Sequence, residues 1–373
     1  MANTLLLVGN SYSNQNLFYK TRFLCGDPFV YVERDGHRLL VTSPMERGRA
    51  EKESTVSEVR TFDDYGYRDL TRELNDRAQA FTAVLTKIVR EFDSSSVVAE
   101  GSFPALYADA LRRNGVTVDI DPRLLVVARR QKSEAEIAAI EEAQRATERA
   151  TARALDVLAE SEEHDGFLHF EGSLLTSERL RTEIEVSLIY NGMESSGSPI
   201  VAGGPGAADP HWKGEGPLTC GEAIVLDVFP RSDRSRYHAD MTRTVFKGDP
   251  GDRLRAMYDA VLSAQQAGLG AIRAGVNGRD VHQAVVSVFE ASGFTDEAQG
   301  PRFVHGTGHG VGLAVHEAPH IGLLDEELQE NEVVTVEPGL YDPTLGAVRI
   351  EDLVVVTRTG HRNLTRFPKY FEL

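Results

Sequence analysis

Four carboxylates stand inside runs of apolar residues that read as buried β-strands, and they constrain this chain more than any other feature. Asp227 follows Ala-Ile-Val-Leu, and Asp240 precedes Met-Thr-Arg-Thr-Val-Phe. Glu337 follows Val-Val-Thr-Val, and Glu351 sits within Val-Arg-Ile-Glu-Asp-Leu-Val-Val-Val. A carboxylate in a buried strand is costly unless it is paired or bound to a metal. Asp227 and Asp240 are 13 residues apart and Glu337 and Glu351 are 14 apart, so each pair can share one face of a hairpin. Four converging carboxylates repel one another, and cations are the simplest remedy.

Imidazoles supply a second ligand type. Of the 11 histidines, four fall between 305 and 320, in the run His305-Gly-Thr-Gly-His309-Gly-Val-Gly-Leu-Ala-Val-His316-Glu-Ala-Pro. Its apolar part alternates, which predicts an extended segment rather than the helix of a zincin H-E-x-x-H site. The glycines are expected to let the backbone pass close to a ligand. One nitrogen ligand among several carboxylates suits Mn²⁺, Co²⁺, Fe²⁺ or Zn²⁺.

Around these residues the chain reads as two domains, 1–128 and 129–373. The first alternates strand-like runs (Thr4–Val8, Phe29–Val32, Arg38–Thr42, Ser96–Ala99, Val116–Ile120) with helical stretches at Thr71–Phe92 and Phe103–Asn114, an α/β pattern. It carries no ligand cluster and no phosphate-binding glycine loop. The second opens on a capping box, Ser133 with Glu136, and a helix through about Ala159. Beyond it the pattern helix, helix, hairpin occurs twice. Helices at 133–159 and 176–187 precede strands Ala223–Phe229 and Tyr237–Phe246; helices at 252–274 and 278–292 precede strands Glu332–Tyr341 and Ala347–Val356. Each hairpin strand holds one of the four acids Asp227, Asp240, Glu337 and Glu351. The repeat predicts a curved antiparallel sheet with helices on its outer face. The polar stretch Ser161–Gly172 reads as a surface excursion that covers the pocket rim.

A formal net charge of -17, from 57 acidic and 40 basic residues, excludes nucleic acid as a partner. Only seven of the basic residues are lysines, which fits a surface kept soluble in concentrated salt, or codon bias alone. The longest early apolar run, Leu5 to Val8, is too short for a signal peptide or membrane span. Two cysteines, Cys25 and Cys220, make no disulfide framework, so a cytoplasmic protein is expected.

At the acids and the histidine run the chain resembles the pita-bread metallopeptidases, in their proline-peptidase branch. The resemblance implies an α+β fold in which a pita-bread catalytic domain follows a smaller creatinase-type α/β domain. It also implies a metallo-exopeptidase, a homodimer, that cleaves the N-terminal Xaa-Pro bond of dipeptides or short peptides, dipeptides being favoured. Two divalent ions per chain, Mn²⁺ foremost, would be held by Asp227, Asp240, His309, Glu337 and Glu351, with Asp240 and Glu351 bridging. Glu337 would also shuttle the proton from water to the leaving nitrogen. His211 and His316 match the family's substrate-facing and intermediate-stabilising histidines, His305 lines the pocket, and Arg349 orients Glu351 or the substrate. His282, His320 and His361 read as structural or solvated, and His238, beside Asp240, is left out of the site. Arg231, Arg234 and Arg236 are candidates to clamp a dipeptide's carboxylate.

The chain departs from the family in two places. The aspartate spacing is two residues longer than usual, and Phe229 replaces a glycine, so altered substrate access is expected with metal binding retained. Two other readings stay open: a non-catalytic scaffold of the same fold, since fold does not dictate function, and a metallopeptidase without proline specificity.

Overall fold

The computed structural model describes residues 4–195, 197–294, 300–370 and 372–373. The chain divides into two compact units, residues 1–129 and 130–373.

The first unit is built on a six-stranded mixed sheet. Its strands run in the order Glu58–Thr61, His37–Thr42, Phe29–Arg34, Thr4–Gly9, Ser96–Glu100, Thr117–Asp121. Two-residue alternation divides their side chains between two cores. Leu6, Val8, Val30, Val32, Leu39 and Val41 pack with Val84, Leu85, Ile88 and Val89 of the Arg77–Glu91 helix. Leu7, Phe29, Tyr31 and Leu40 pack on the other face with Leu17 and Ala50. Each fully buried aliphatic or aromatic side chain contributes roughly 1.5–3 kcal/mol. The helix expected over 71–92 is two helices, Tyr67–Leu74 and Arg77–Glu91. Asn75, at φ 47°, ends the first, and the Asp76 side chain caps the second by accepting from Ala78 N and Gln79 N.

The second unit begins with the 27-residue helix Glu134–Glu160, whose first turn is closed by the Ser133/Glu136 capping box. Together with the Ser177–Tyr190 helix it covers Ile224, Leu226 and Val228 of the Ala223–Val228 strand. By alternation Val225 and Asp227 face the opposite side. In the second half, helices Gly251–Ala271 and Gly278–Ala291 cover Leu340, Val348 and Ile350, while Val334, Val336, Val354 and Val356 pack with Ile272 and Val281.

Helix, helix, hairpin recurs as expected, but the ladder is interrupted rather than continuous. A three-stranded antiparallel ladder joins Ile200–Gly203, Ala223–Val228 and Met241–Phe246. A five-stranded one joins Glu317–Ile321, Gly308–Gly310, Val333–Val336, Asp352–Val356 and His361–Asn363, and a separate pair joins Gly339–Asp342 to Gly346–Arg349. The two strands expected at 332–341 and 347–356 therefore each break in the middle, at Glu337-Pro338 and at Ile350-Glu351. The excursion after the first helix folds into a small three-stranded sheet, Glu162–His164, Phe167–Phe170 and Ser173–Leu174. Among the described residues no helix is long and apolar enough to cross a membrane.

Candidate metal centre

Each acid reaches the site through local backbone geometry. Asp227 lies in the Ala223–Val228 strand directly opposite Thr242, and Asp240 immediately precedes the partner strand. Glu337 leaves the Val333–Val336 strand, its N–H donating to Thr307 O at 2.8 Å. Glu351 occupies the break between Gly346–Arg349 and Asp352–Val356, with its N–H on Thr242 O at 3.1 Å. His309 sits in the short Gly308–Gly310 strand, its N–H donating to Thr335 Oγ1 at 3.0 Å. A Cβ at Gly308 would lie 2.0 Å from Thr335 O and one at Gly310 2.3 Å from Ala318 O. These glycines thus allow close approach of neighbouring strands, and Gly306 and Gly308 also border the cavity.

The five side chains meet on one wall of a cavity of about 610 Å³. Ligand atoms of Asp240, His309 and Glu351 all lie within 4.8 Å of one another, a spacing that can hold a metal ion. His309 Nε2 is 3.7 Å from Asp240 Oδ2 and 3.3 Å from Glu337 Oε1. Its Nδ1 contacts Gly310 O at 3.1 Å, which turns Nε2 toward the acids.

Burial and mutual repulsion govern the charges of the acid cluster. Burial, then Glu351, Asp227 and Glu337, push the Asp240 carboxyl well above its ordinary value. Burial and the charges of Glu337 and Asp227 do the same to Glu351. Asp227 is raised by burial, against the pull of Arg349. Burial also opposes ionisation of Glu337, yet the His309 hydrogen bond and nearby positive charges bring it down to about 2. Burial disfavours protonated His309, but Glu337 outweighs it and raises that imidazole. Two like charges 4 Å apart cost about 4 kcal/mol at an effective dielectric constant of about 20, so these acids cannot all ionise unaided. Asp227 Oδ1 and Glu351 Oε1 are also buried without a hydrogen-bond partner among the described residues. Oxygen-rich, with one nitrogen and two unsatisfied lone-pair donors, this set fits divalent cations.

Around the acids, His211, His305 and His316 line the cavity with Arg349. The His316 ring lies edge-to-face on His309, centroids 4.3 Å apart. His305 Nε2 is 2.7 Å from Tyr341 OH, and its Nδ1 is 2.7 Å from Gly306 O. Burial pushes the Tyr341 phenol up to about 12, so it stays protonated, donating to His305 while accepting from Arg349 Nη1 at 2.9 Å. Burial lowers His305 and His316 alike, keeping both neutral near pH 7.

The structure differs from the sequence reading at several side chains. Arg349 does not pair with Glu351. Its Nη2 donates to Asp227 Oδ2 at 2.7 Å, and it meets Glu351 only through Thr242, whose Oγ1 accepts from Arg349 Nε at 3.2 Å and donates to Glu351 Oε2 at 2.8 Å. His320 is exposed, as read from sequence, and also borders the cavity as the cross-strand partner of His309. Arg231 and Arg236 pair with Glu194, and Arg231, Arg234 and Arg236 are not among the cavity-lining residues. The extra residues of the aspartate loop form a two-residue ladder, Arg231–Ser232 with Met193–Glu194, and Phe229 enters the cavity wall. No residue of the 161–175 excursion lines the cavity. Tyr341 and Thr242 were not singled out from sequence; Thr242, two residues from Asp240, is the one that strand alternation could have flagged.

Comparison with known proteins agrees with this geometry. Residues 138–358 match metallopeptidase family M24. The chain is 35% identical over 187 residues to Xaa-Pro dipeptidase of Pyrococcus furiosus, covering 49% of this chain and 52% of that one, so it spans about half the length of that curated relative. It is 33% identical over 273 residues to the probable dipeptidase PepE of Mycobacterium bovis, covering 72% and 67%. The crystal structure of X-Pro aminopeptidase from Thermotoga maritima superposes with a TM-score of 0.82 at 26% identity, covering 100% of this chain and 98% of that one. The fold is the pita-bread fold with a preceding smaller α/β unit. The chain belongs to metallopeptidase family M24, alongside the family's proline peptidases.

Proposed function

We propose that this chain is a dinuclear metal-dependent exopeptidase that hydrolyses the N-terminal Xaa-Pro bond of dipeptides and short peptides. The observation that carries this reading is the meeting of Asp227, Asp240, His309, Glu337 and Glu351 at one wall of a cavity that His211, His305 and His316 also line. These five residues would hold two divalent ions, Mn²⁺ foremost, with Asp240 and Glu351 between them. Divalent ions held by these side chains would supply Lewis-acid polarisation of the scissile carbonyl and a more acidic water.

The chain's own groups supply the remaining steps. Glu337, ionised at neutral pH, accepts a proton and returns it to the leaving nitrogen. His316 and His211 offer hydrogen bonds to the carbonyl and to the peptide from the cavity wall. Tyr341 fixes His305 as a wall of the pocket for the residue after the scissile bond.

Dipeptides are favoured because the Pyrococcus relative is an Xaa-Pro dipeptidase and the mycobacterial one a probable dipeptidase. Apart from Arg349, the basic groups facing the cavity among the described residues are imidazoles, so recognition of a free carboxylate falls to them. The Thermotoga neighbour, an X-Pro aminopeptidase, supports the second reading, cleavage of longer peptides. The deciding measurement is kcat/KM for an Xaa-Pro dipeptide against its C-terminal amide with metal-reconstituted enzyme. Hydrogen bonds from neutral imidazoles to a free carboxylate predict a loss in the amide of about 1.5–3 kcal/mol. Equal rates, or faster cleavage of longer peptides, make the chain an aminopeptidase instead.

A further inference from the structure

A second buried charge pair lies one residue from the cavity. Lys132 Nζ donates to Glu317 Oε1 at 2.9 Å, and the two side chains are only 1% and 9% exposed. Glu317 opens the Glu317–Ile321 strand and directly follows His316. Its other oxygen accepts the Ala314 N–H at 3.4 Å, and a Cβ on Gly312 would come within 2.2 Å of Oε1. The carboxylate therefore lies across the neck of the 312–316 turn. Backbone bonds also hold that turn, Gly312 N–H to Ala314 O at 3.0 Å and His238 N–H to Gly312 O at 2.8 Å, and the His316 ring at its end packs edge-to-face on His309. Lys132 is itself anchored, its N–H donating to Asn331 O at 2.9 Å.

We propose that Lys132 is a positioning residue: acting through Glu317, it fixes the turn that presents His316 to the cavity. The inference rests on the reading of His316 as a contact to the reacting peptide. Removing the ammonium from a buried ion pair is unfavourable, and the carboxylate relieves the cost by moving toward water. Glu317 cannot move without drawing the neck of the turn, and His316, with it. A displacement of about 1 Å at a reacting contact is enough to cost on the order of 10²-fold in rate.

The test uses the full chain loaded with Zn²⁺, comparing Lys132→Met, Glu317→Gln and the double variant, each with and without His316→Ala. Lys132→Met should keep the wild-type metal content and lose kcat on an Xaa-Pro dipeptide by roughly tenfold or more, with KM little changed. The double variant removes both charges, so it should recover thermal stability without recovering kcat, which separates positioning from folding. In the His316→Ala background, Lys132→Met should cause no further loss. Independently of activity, the His316 ¹³Cε1 signal should shift in Lys132→Met while those of His37 and His361 stay in place. An unmoved His316 signal, or an equal loss of kcat in the His316→Ala background, overturns the proposal. If the wild type proves inactive on every Xaa-Pro peptide, the substrate reading falls, and the imidazole signal still decides the positioning role.

Discussion

Arg349 Nη2 donates to Asp227 Oδ2 at 2.7 Å and leaves Oδ1 of the same carboxylate buried without a hydrogen-bond partner among the described residues. The guanidinium thus occupies one oxygen and orients the other toward the acid cluster. It is also the cation that offsets Asp227 when no metal does.

Arg349→Met should therefore destabilise the metal-free protein by about 3–5 kcal/mol, the cost of breaking a buried pair by removing one partner. The metal-loaded protein should lose less, because a bound ion takes over the compensation of Asp227. Thermal unfolding with and without Mn²⁺ checks this: the shift on adding metal should be larger in the variant than in the wild type. An equal shift in both would place Arg349 outside the electrostatics of the site.

A buried pair beside the site predicts a pH effect. Asp352 Oδ1 accepts from Arg243 Nη2, and Oδ2 from Lys369 Nζ, both at 2.9 Å. Burial works against this carboxylate, yet Arg243 and Lys369 hold it below its ordinary value. A depressed carboxyl stabilises the fold above its unfolded value of about 4, and that contribution disappears as pH falls through the folded value. Asp352→Asn should cost roughly 3–5 kcal/mol near pH 7. The gap between variant and wild type should narrow in melts carried down toward pH 3.

The net charge of -17 makes a third prediction. Melting temperature should rise as KCl goes from dilute buffer to about 1 M, where the screening length is roughly 3 Å and carboxylate repulsion is muted. A melting temperature indifferent to salt would leave codon bias as the reason for the scarcity of lysine.

The site was legible to the extent that it is local. Asp227 and Asp240 announce themselves because an acid inside an apolar strand is expensive, and strand alternation already puts Thr242 on the same side as Asp240. What escaped the sequence are relations across the fold. Arg349 stands two residues from Glu351, yet its partner Asp227 is 122 residues away. His320 is exposed, as read, and what the sequence does not show is that pairing of the Gly308–Gly310 strand with Glu317–Ile321 sets it opposite His309 at the cavity. The breaks at Glu337-Pro338 and Ile350-Glu351 were hidden for another reason. Apolar runs on both sides continue the pattern of a strand, whereas the ladder ends where a carboxylate turns away to the cavity. In the first unit the reverse happened at Asn75-Asp76, where a helical pattern runs through a cap that only the backbone conformation reveals.

The central claim, two ions held by five side chains, is tested most directly by metal content. Wild type and Glu351→Ala, stripped with chelator, reconstituted with Mn²⁺ and freed of excess, should be compared by elemental analysis and by hydrolysis of an Xaa-Pro dipeptide. Among the described residues Glu351 Oε1 is buried without a hydrogen-bond partner while Oε2 is held by Thr242, so on the proposed reading the substitution would remove a bridging ligand. The account predicts two ions per chain in the wild type, with most of the metal and the activity lost in Glu351→Ala. Full metal content and full rate in that variant would contradict it.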